Sequence, residues 1–205
     1  MFDIAAIASA AAVCLAGVMS PGPNFVAVTH RAASTTRHEA LTMVLGIAII
    51  NLLWAAISVF GIGLLLATAP PLFWTVKTLG AMYLIWFGVK LIRRPDISDP
   101  AARLAERAGF KAALRDGIAT NLANPNSMMF YASVFAGAVP ADASLQTLLS
   151  LVAMVGLIGM LWYGSVALVF SSNQVASFYR RGRKLIECAC GLFLIGFAIR
   201  SLLAN

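Results

Sequence analysis

Apolar residues run along this chain in long blocks rather than in narrow stripes. Six stretches, at residues 4–29, 41–69, 72–92, 117–139, 145–170 and 185–203, are predominantly apolar. Each is close to or above the roughly 20 residues that an α-helix needs to cross a bilayer. The first, second, fourth and fifth contain no charged side chain. The third holds Lys77 and Lys90 and the sixth Glu187 and Arg200, all near the ends of their stretches. The pattern predicts an all-α polytopic membrane protein with six transmembrane helices. Met1-Phe2-Asp3 lacks the basic start of a secretory signal, so the first stretch is expected to be a retained span.

The polar gaps are unevenly charged. Residues 30–40, 93–116 and 171–184 hold twelve of the fifteen Lys and Arg residues. The alternate gaps, at Ala69-Pro70-Pro71 and around Pro140-Ala141-Asp142, hold none. Because basic loops stay in the cytoplasm, both termini are expected outside it. The long gap 93–116 reads either as a short surface helix around Arg103-Leu104-Ala105-Glu106-Arg107 or as a solvated linker.

Composition agrees with the pattern. The 205 residues are 60% hydrophobic and 11% charged, with a mean hydropathy of +0.87. A soluble domain carries about 25% charged residues, so a soluble enzyme, a disordered tail and a fibrous repeat are excluded. The net charge of +7 raises nucleic acid as a partner. No basic stripe with interleaved aromatics supports it, and positive cytoplasmic loops explain the charge instead. The three cysteines, Cys14, Cys188 and Cys190, lie in apolar stretches and are too few for a disulfide framework.

The two halves of the chain resemble each other. At an offset of 110, Leu84, Ile85 and Phe87 match Leu194, Ile195 and Phe197. Pro23-Asn24 in the first stretch is echoed by Pro125-Asn126 in the fourth. Three spans per half would turn the second half upside down, an arrangement recurrent in secondary transporters. The expected organisation is one transporter domain over 1–205, with inverted repeat halves 1–92 and 117–205 joined by the cytoplasmic linker 93–116.

The sharpest chemistry lies inside apolar stretches. Ser20-Pro21-Gly22-Pro23-Asn24 removes two amide donors within three residues, so the helix must break and restart near Asn24. A broken backbone survives in hydrocarbon only where it is buried in protein or lines a wet cavity. The restarted helix offers free N–H groups and a positive dipole end, which suit a carboxylate. Asn121-Leu122-Ala123-Asn124-Pro125-Asn126 repeats the device in the fourth stretch. These amides point to a polar internal cavity, or to caps that bond only to neighbouring helices. Asn51, in mid-span, fits either a substrate contact or an interhelical hydrogen bond.

Glu39, Asp116 and Glu187 stand at helix ends, where each is a candidate for carrying a coupling proton or for pairing with a loop arginine. His30 and His38 lie beside arginines and do not form a metal-ligand pattern. No nucleophile–base pair or phosphate loop is visible, so no enzyme, metal or cofactor is expected. Outside amino-acid carriage, the sequence leaves three readings: a metal or inorganic-ion exporter, a thiol-electron conduit joining Cys14 to Cys188 or Cys190, and a membrane scaffold without transport.

Several of these features together resemble the LysE/RhtB family of bacterial amino-acid exporters over nearly the whole chain. The resemblance rests on Ser20-Pro21-Gly22-Pro23-Asn24, on Leu45-Gly46-Ile47, and on Lys77-x-Leu79-Gly80-Ala81-x-Tyr83-Leu84-x-Trp86-x-Gly88. Gly117-x-x-x-Asn121-x-x-Asn124-Pro125 and Gly191 complete it. It implies an inner-membrane secondary carrier exporting amino acids, driven by the proton gradient. Pro21, Gly22, Pro23 and Asn24 match one family motif, and Asn124 and Pro125 the other. The chain departs from the family at Asn126, where Lys is common, and at Pro140-Ala141-Asp142, where Pro-Gln-Phe is usual. Family members exporting basic amino acids often carry Asp near Asn51, so a neutral amino acid or small zwitterion is the expected substrate. The expected site combines Pro21, Gly22, Pro23, Asn24, Asn51, Asn121, Asn124, Pro125 and Asn126 in an uncharged cavity. The lipid bilayer surrounds it, and a homo-oligomer is possible.

Overall fold

A computed structural model describes residues 3–20, 22–93, 109–140, 143–170 and 173–203. Side-chain surroundings are described for these residues except Gly63, Leu66, Ala67, Pro70 and 173–183. Among the described residues there are eight helices: α1 (Ile4–Met19), α2 (Pro23–Ser34), α3 (Arg37–Thr68), α4 (Pro70–Arg93), α5 (Phe110–Leu122), α6 (Pro125–Ala138), α7 (Leu145–Val169) and α8 (Asn173–Leu203).

Local chemistry explains where they start. Asp3 caps α1 by accepting from the Ala6 amide at 2.9 Å. Thr36 caps α3 by accepting from the Glu39 amide at 3.3 Å, and Ser144 caps α7 through the Thr147 amide, also at 3.3 Å. Pro23 and Pro125 open α2 and α6, where a missing N–H costs nothing and the fixed φ already suits a helix. Ala69 alone separates α3 from α4.

Helix α3 is the central element. It packs against α5, α7, α6, α2 and α4. Its first half joins Val28, Met43, Val44 and Ile47 in one buried cluster with α2, α5 and α7. Its second half joins Val59, Leu84, Phe135 and Leu194 in another with α1, α4, α6, α7 and α8. Leu64, Leu79, Leu149, Leu157, Leu161 and Leu192 point outward and are exposed. Apolar side chains shown this widely suit a hydrocarbon surround.

Two glycine pairs set the closest crossings. A methyl on Gly117 would strike the Met43 carbonyl, and one on Gly46 would strike that of Leu114, so α3 and α5 meet backbone to backbone. In the α4–α8 pair, a methyl on either Gly88 or Gly191 would lie 2.6 Å from the other's carbonyl oxygen. Small residues at such crossings are the usual means of close helix approach in membranes.

The expectation of six spans, broken in the first and fourth, is corrected here. Among the described residues, four helices are long and apolar enough to cross a membrane: Arg37–Ile62 of α3, Pro71–Arg93 of α4, all of α7, and Lys184–Leu203 of α8. The count reaches five if α1 and α2, bent by 56° about their break, make one span. The fourth expected span is instead α5 and α6, of 13 and 14 residues. Each is only about 20 Å long. The chain does break at Ala123-Asn124, but α5 extends back over Lys111, Arg115 and Asp116, so the pair is not an apolar broken span. The argument for an inverted second half rested on three full spans per half and falls with that count.

The basic stretch 171–184, expected as a loop, is helical from Asn173 as the first turns of α8. Lys and Arg are good helix formers, so nothing stops the helix at the apolar boundary. The expected surface helix around 103–107, like Ala141 and Asp142, lies outside the described residues.

The α3–α5 crossing yields a stability prediction. Gly117→Ala should overpack that crossing and cost about 1–3 kcal/mol, lowering the melting temperature in detergent. Gly61→Ala, whose added methyl meets nothing within 4 Å, should leave it unchanged or slightly raised.

Candidate functional site

The α1/α2 break and the α5/α6 junction open on a common cavity of about 110 Å³. Ser20, Gly22, Pro23 and Asn24 line it from the first break, and Asn124, Asn126 and Ser127 from the second. Asn51 of α3 and Tyr163 of α7 reach it from the side, and Phe87, Lys90 and Leu91 from α4. Phe130 and Tyr131 complete the wall, the Phe130 ring lying directly against Gly17.

The two helix starts at this cavity differ. Asn124 caps α6 with its own side chain, accepting from the Asn126 amide at 3.1 Å. Its amide nitrogen donates to Ser127 Oγ at 3.0 Å. At α2 the capping residue is Gly22, which offers no side-chain cap. The positive dipole end of α2 borders the cavity.

Three buried amides form a relay, two of them in the wall and Asn121 behind it. Asn24 Nδ2 donates to Asn121 Oδ1 at 2.9 Å. Asn121 Nδ2 donates to both Asn51 Oδ1 and the Ile47 carbonyl, each at 2.8 Å. The glycine crossing makes this reach possible. Gly117 lies one turn before Asn121, and Gly46 directly precedes Ile47 in the sequence. The relay ties α2, α5 and α3 together.

A charged cluster ties the same three helices at a second level. Arg31 of α2 is fully buried, with Nη1 3.4 Å from Asp116 Oδ2 on α5 and Nη2 3.7 Å from Glu39 Oε2 on α3. Arg115, 60% exposed, approaches the other Asp116 oxygen at 3.8 Å. Arg31 follows Asn24 by two helical turns, about 10 Å along α2. Burying the guanidinium is tolerable because two carboxylates face it.

Of the expected site residues, Gly22, Pro23, Asn24, Asn51, Asn124 and Asn126 line one cavity. Asn121 is buried behind it, Pro125 is the first residue of α6, and Pro21 lies outside the described residues. Glu39 and Asp116 meet at Arg31. Glu187 is buried on α8, which packs against α4, α1 and α6 instead. Lys90 was not foreseen: it places a cation at a cavity expected to be uncharged, its Nζ 4.5 Å over the Trp86 ring. Ser127, Tyr131, Tyr163 and Arg31 were also missed. Helical spacing held a clue for two of them, since Ser127 is three residues after Asn124 and Arg31 seven after Asn24. The cysteines are free thiols, Cys14 and Cys190 within one apolar cluster.

Comparison with known proteins adds to the geometry. Residues 15–205 match the family model for the LysE type translocator. The chain is 30% identical to the threonine efflux protein of Escherichia coli K12, over 95% of this chain and 96% of that protein. It is 29% identical to the threonine efflux protein of Salmonella typhi, with the same coverage. It is 26% identical to the uncharacterized membrane protein YrhP of Bacillus subtilis, over 90% of this chain and 92% of that one. No solved structure matches.

The buried cluster predicts a contrast between neighbours. Asp116→Leu removes the nearer partner of Arg31 and should cost about 3–5 kcal/mol. Arg115→Ala removes an exposed ion pair and should stay within about 0.5 kcal/mol of the parent. Thermal unfolding of purified protein in detergent measures both.

Proposed function

The chain belongs to the LysE type translocator family and is a multi-pass membrane transporter rather than an enzyme, and from that premise we propose that it exports a small neutral amino acid of the threonine type. The observation that carries the reading is the convergence of the α1/α2 break and the α5/α6 junction on one small cavity. Among the described residues no Asp or Glu lines that cavity, and Lys90 does. An anionic carboxylate is favoured there, and a lysine or arginine side chain would meet like charge without a counter-ion. Similarity to two threonine efflux proteins supports the same substrate class.

The start of α2 borders the cavity that receives the substrate, as half-helix starts do in broken-helix carriers. Gly22 and Pro23 shape that start, and Asn124, Pro125 and Asn126 shape the opposite wall. Residues 1–92 and 117–205 act as two moving halves. The bonds Asn24–Asn121 and Asn121–Asn51 cross between them and remake as access alternates. Asp116 and Glu39, held on one arginine, are where a coupling proton is taken up. Protonating either weakens the cluster and loosens α2 from α5 or α3. The protein sits in the bacterial inner membrane with its basic stretches facing the cytoplasm and both termini outside.

Counterflow in proteoliposomes tests the reading. Vesicles preloaded with unlabelled L-threonine should take up labelled L-threonine, and labelled L-lysine at less than about one tenth of that rate. Asn24→Leu and Asn124→Leu should both abolish exchange while the protein still inserts. Full exchange in both variants, or no exchange of any neutral amino acid by the parent, would overturn the proposal.

A further inference from the structure

The amide relay has a fixed direction. The Ile47 carbonyl can only accept, so the Asn121 atom 2.8 Å from it must be the donating nitrogen. That nitrogen also meets Asn51 at 2.8 Å, so Asn51 must present its oxygen. The Asn121 oxygen then faces Asn24, which must present its nitrogen at 2.9 Å. One backbone carbonyl therefore settles the orientation of three side-chain amides.

The two ends of the relay are left over. Asn24 Oδ1 is an acceptor and Asn51 Nδ2 a donor, and neither has a hydrogen-bond partner among the described residues. Both residues are more than nine-tenths buried, at 5% and 2% exposure, and both line the cavity. An unmade hydrogen bond is costly at such a site, so each end calls for a ligand group of opposite kind. Gly159 leaves the space beside the donor: a methyl there would lie 3.1 Å from Asn51 Nδ2.

We propose that these two ends read the zwitterion of the substrate, Asn24 Oδ1 accepting from its α-ammonium group and Asn51 Nδ2 donating to its α-carboxylate. The assignment rests on the amino-acid reading above and specifies which end of the molecule meets which helix. Asn121 touches no substrate and acts as the positioning residue, because it transmits the polarity of the Ile47 carbonyl to both contacts. The site recognises the part common to all α-amino acids, which leaves side-chain selection to the other walls of the cavity.

The test uses counterflow with three labelled solutes. They are L-threonine, L-threoninamide, which lacks the carboxylate, and 2,3-dihydroxybutanoate, which lacks the ammonium group. The parent protein should prefer L-threonine over each analogue by about tenfold or more, the value of one hydrogen bond to a charged group. Asn51→Asp keeps the oxygen that accepts from Asn121 but replaces the free donor by an anionic acceptor. It should invert the preference, so that L-threoninamide is taken up faster than L-threonine. Asn24→Ala should lower the ratio of L-threonine to 2,3-dihydroxybutanoate uptake by about tenfold, leaving the ratio to L-threoninamide unchanged. A role in packing alone would slow all three solutes together and move neither ratio.

Unchanged ratios in both variants would overturn the assignment while leaving the exporter reading intact. So would an inversion seen in Lys90→Met but not in Asn51→Asp, since it would place the carboxylate on the lysine. Equal uptake of all three solutes by the parent would also overturn the assignment, with no variant needed. A parent that exchanges no amino acid would overturn the exporter reading, and the assignment with it.

Discussion

Asn121 cannot sit inside an apolar helix bundle without placing both of its amide protons, and much of the structure follows from where they go. One goes to the Ile47 carbonyl and the other to Asn51, both on α3. A side chain this short reaches a neighbouring backbone only if the two helices nearly touch. That is the physical reason for Gly46 and Gly117 at the crossing. The same amide then accepts from Asn24 and so draws the start of α2 onto the pair. Where water is scarce, each of these bonds replaces one that the solvent would otherwise supply.

Two kinds of polar contact hold α2, α3 and α5, and they differ in character. The amide level is short, directional and incomplete, with one acceptor and one donor left facing the cavity. The charged level is longer, at 3.4 and 3.7 Å, with two carboxylates sharing one guanidinium. Each runs through the same three helices.

The apolar blocks were readable because a span must exclude charge for roughly 20 residues. Four of the six became single spanning helices on that basis. The fourth block misled for the same reason. Apolar length was counted from Gly117, whereas the helix begins at Phe110 and brings a charged turn with it. Likewise the basic stretch before Lys184 looked like a loop, although helix propensity favoured continuing. Charge marks where a chain leaves hydrocarbon, but it does not mark where a helix ends.

Pro23, Pro125 and the asparagines were conspicuous in the sequence, because proline removes a donor and an amide in hydrocarbon demands a partner. Those rules act on each residue alone, so sequence sufficed to find the break at Pro23 and to nominate Asn24, Asn51, Asn121, Asn124 and Asn126. Which amides bond to one another, and which atoms are left over, depends on helices far apart in the chain. Residues 24 and 121 meet at 2.9 Å, as do the charges of Arg31 and Asp116 at 3.4 Å. Lys90 entered the cavity wall because α4 packs against α6. Sequence by itself determined the membrane character and the candidate polar groups. Tertiary structure alone decided their pairing and direction, because a hydrogen bond between helices is set by distance and angle, neither of which is written locally in the chain.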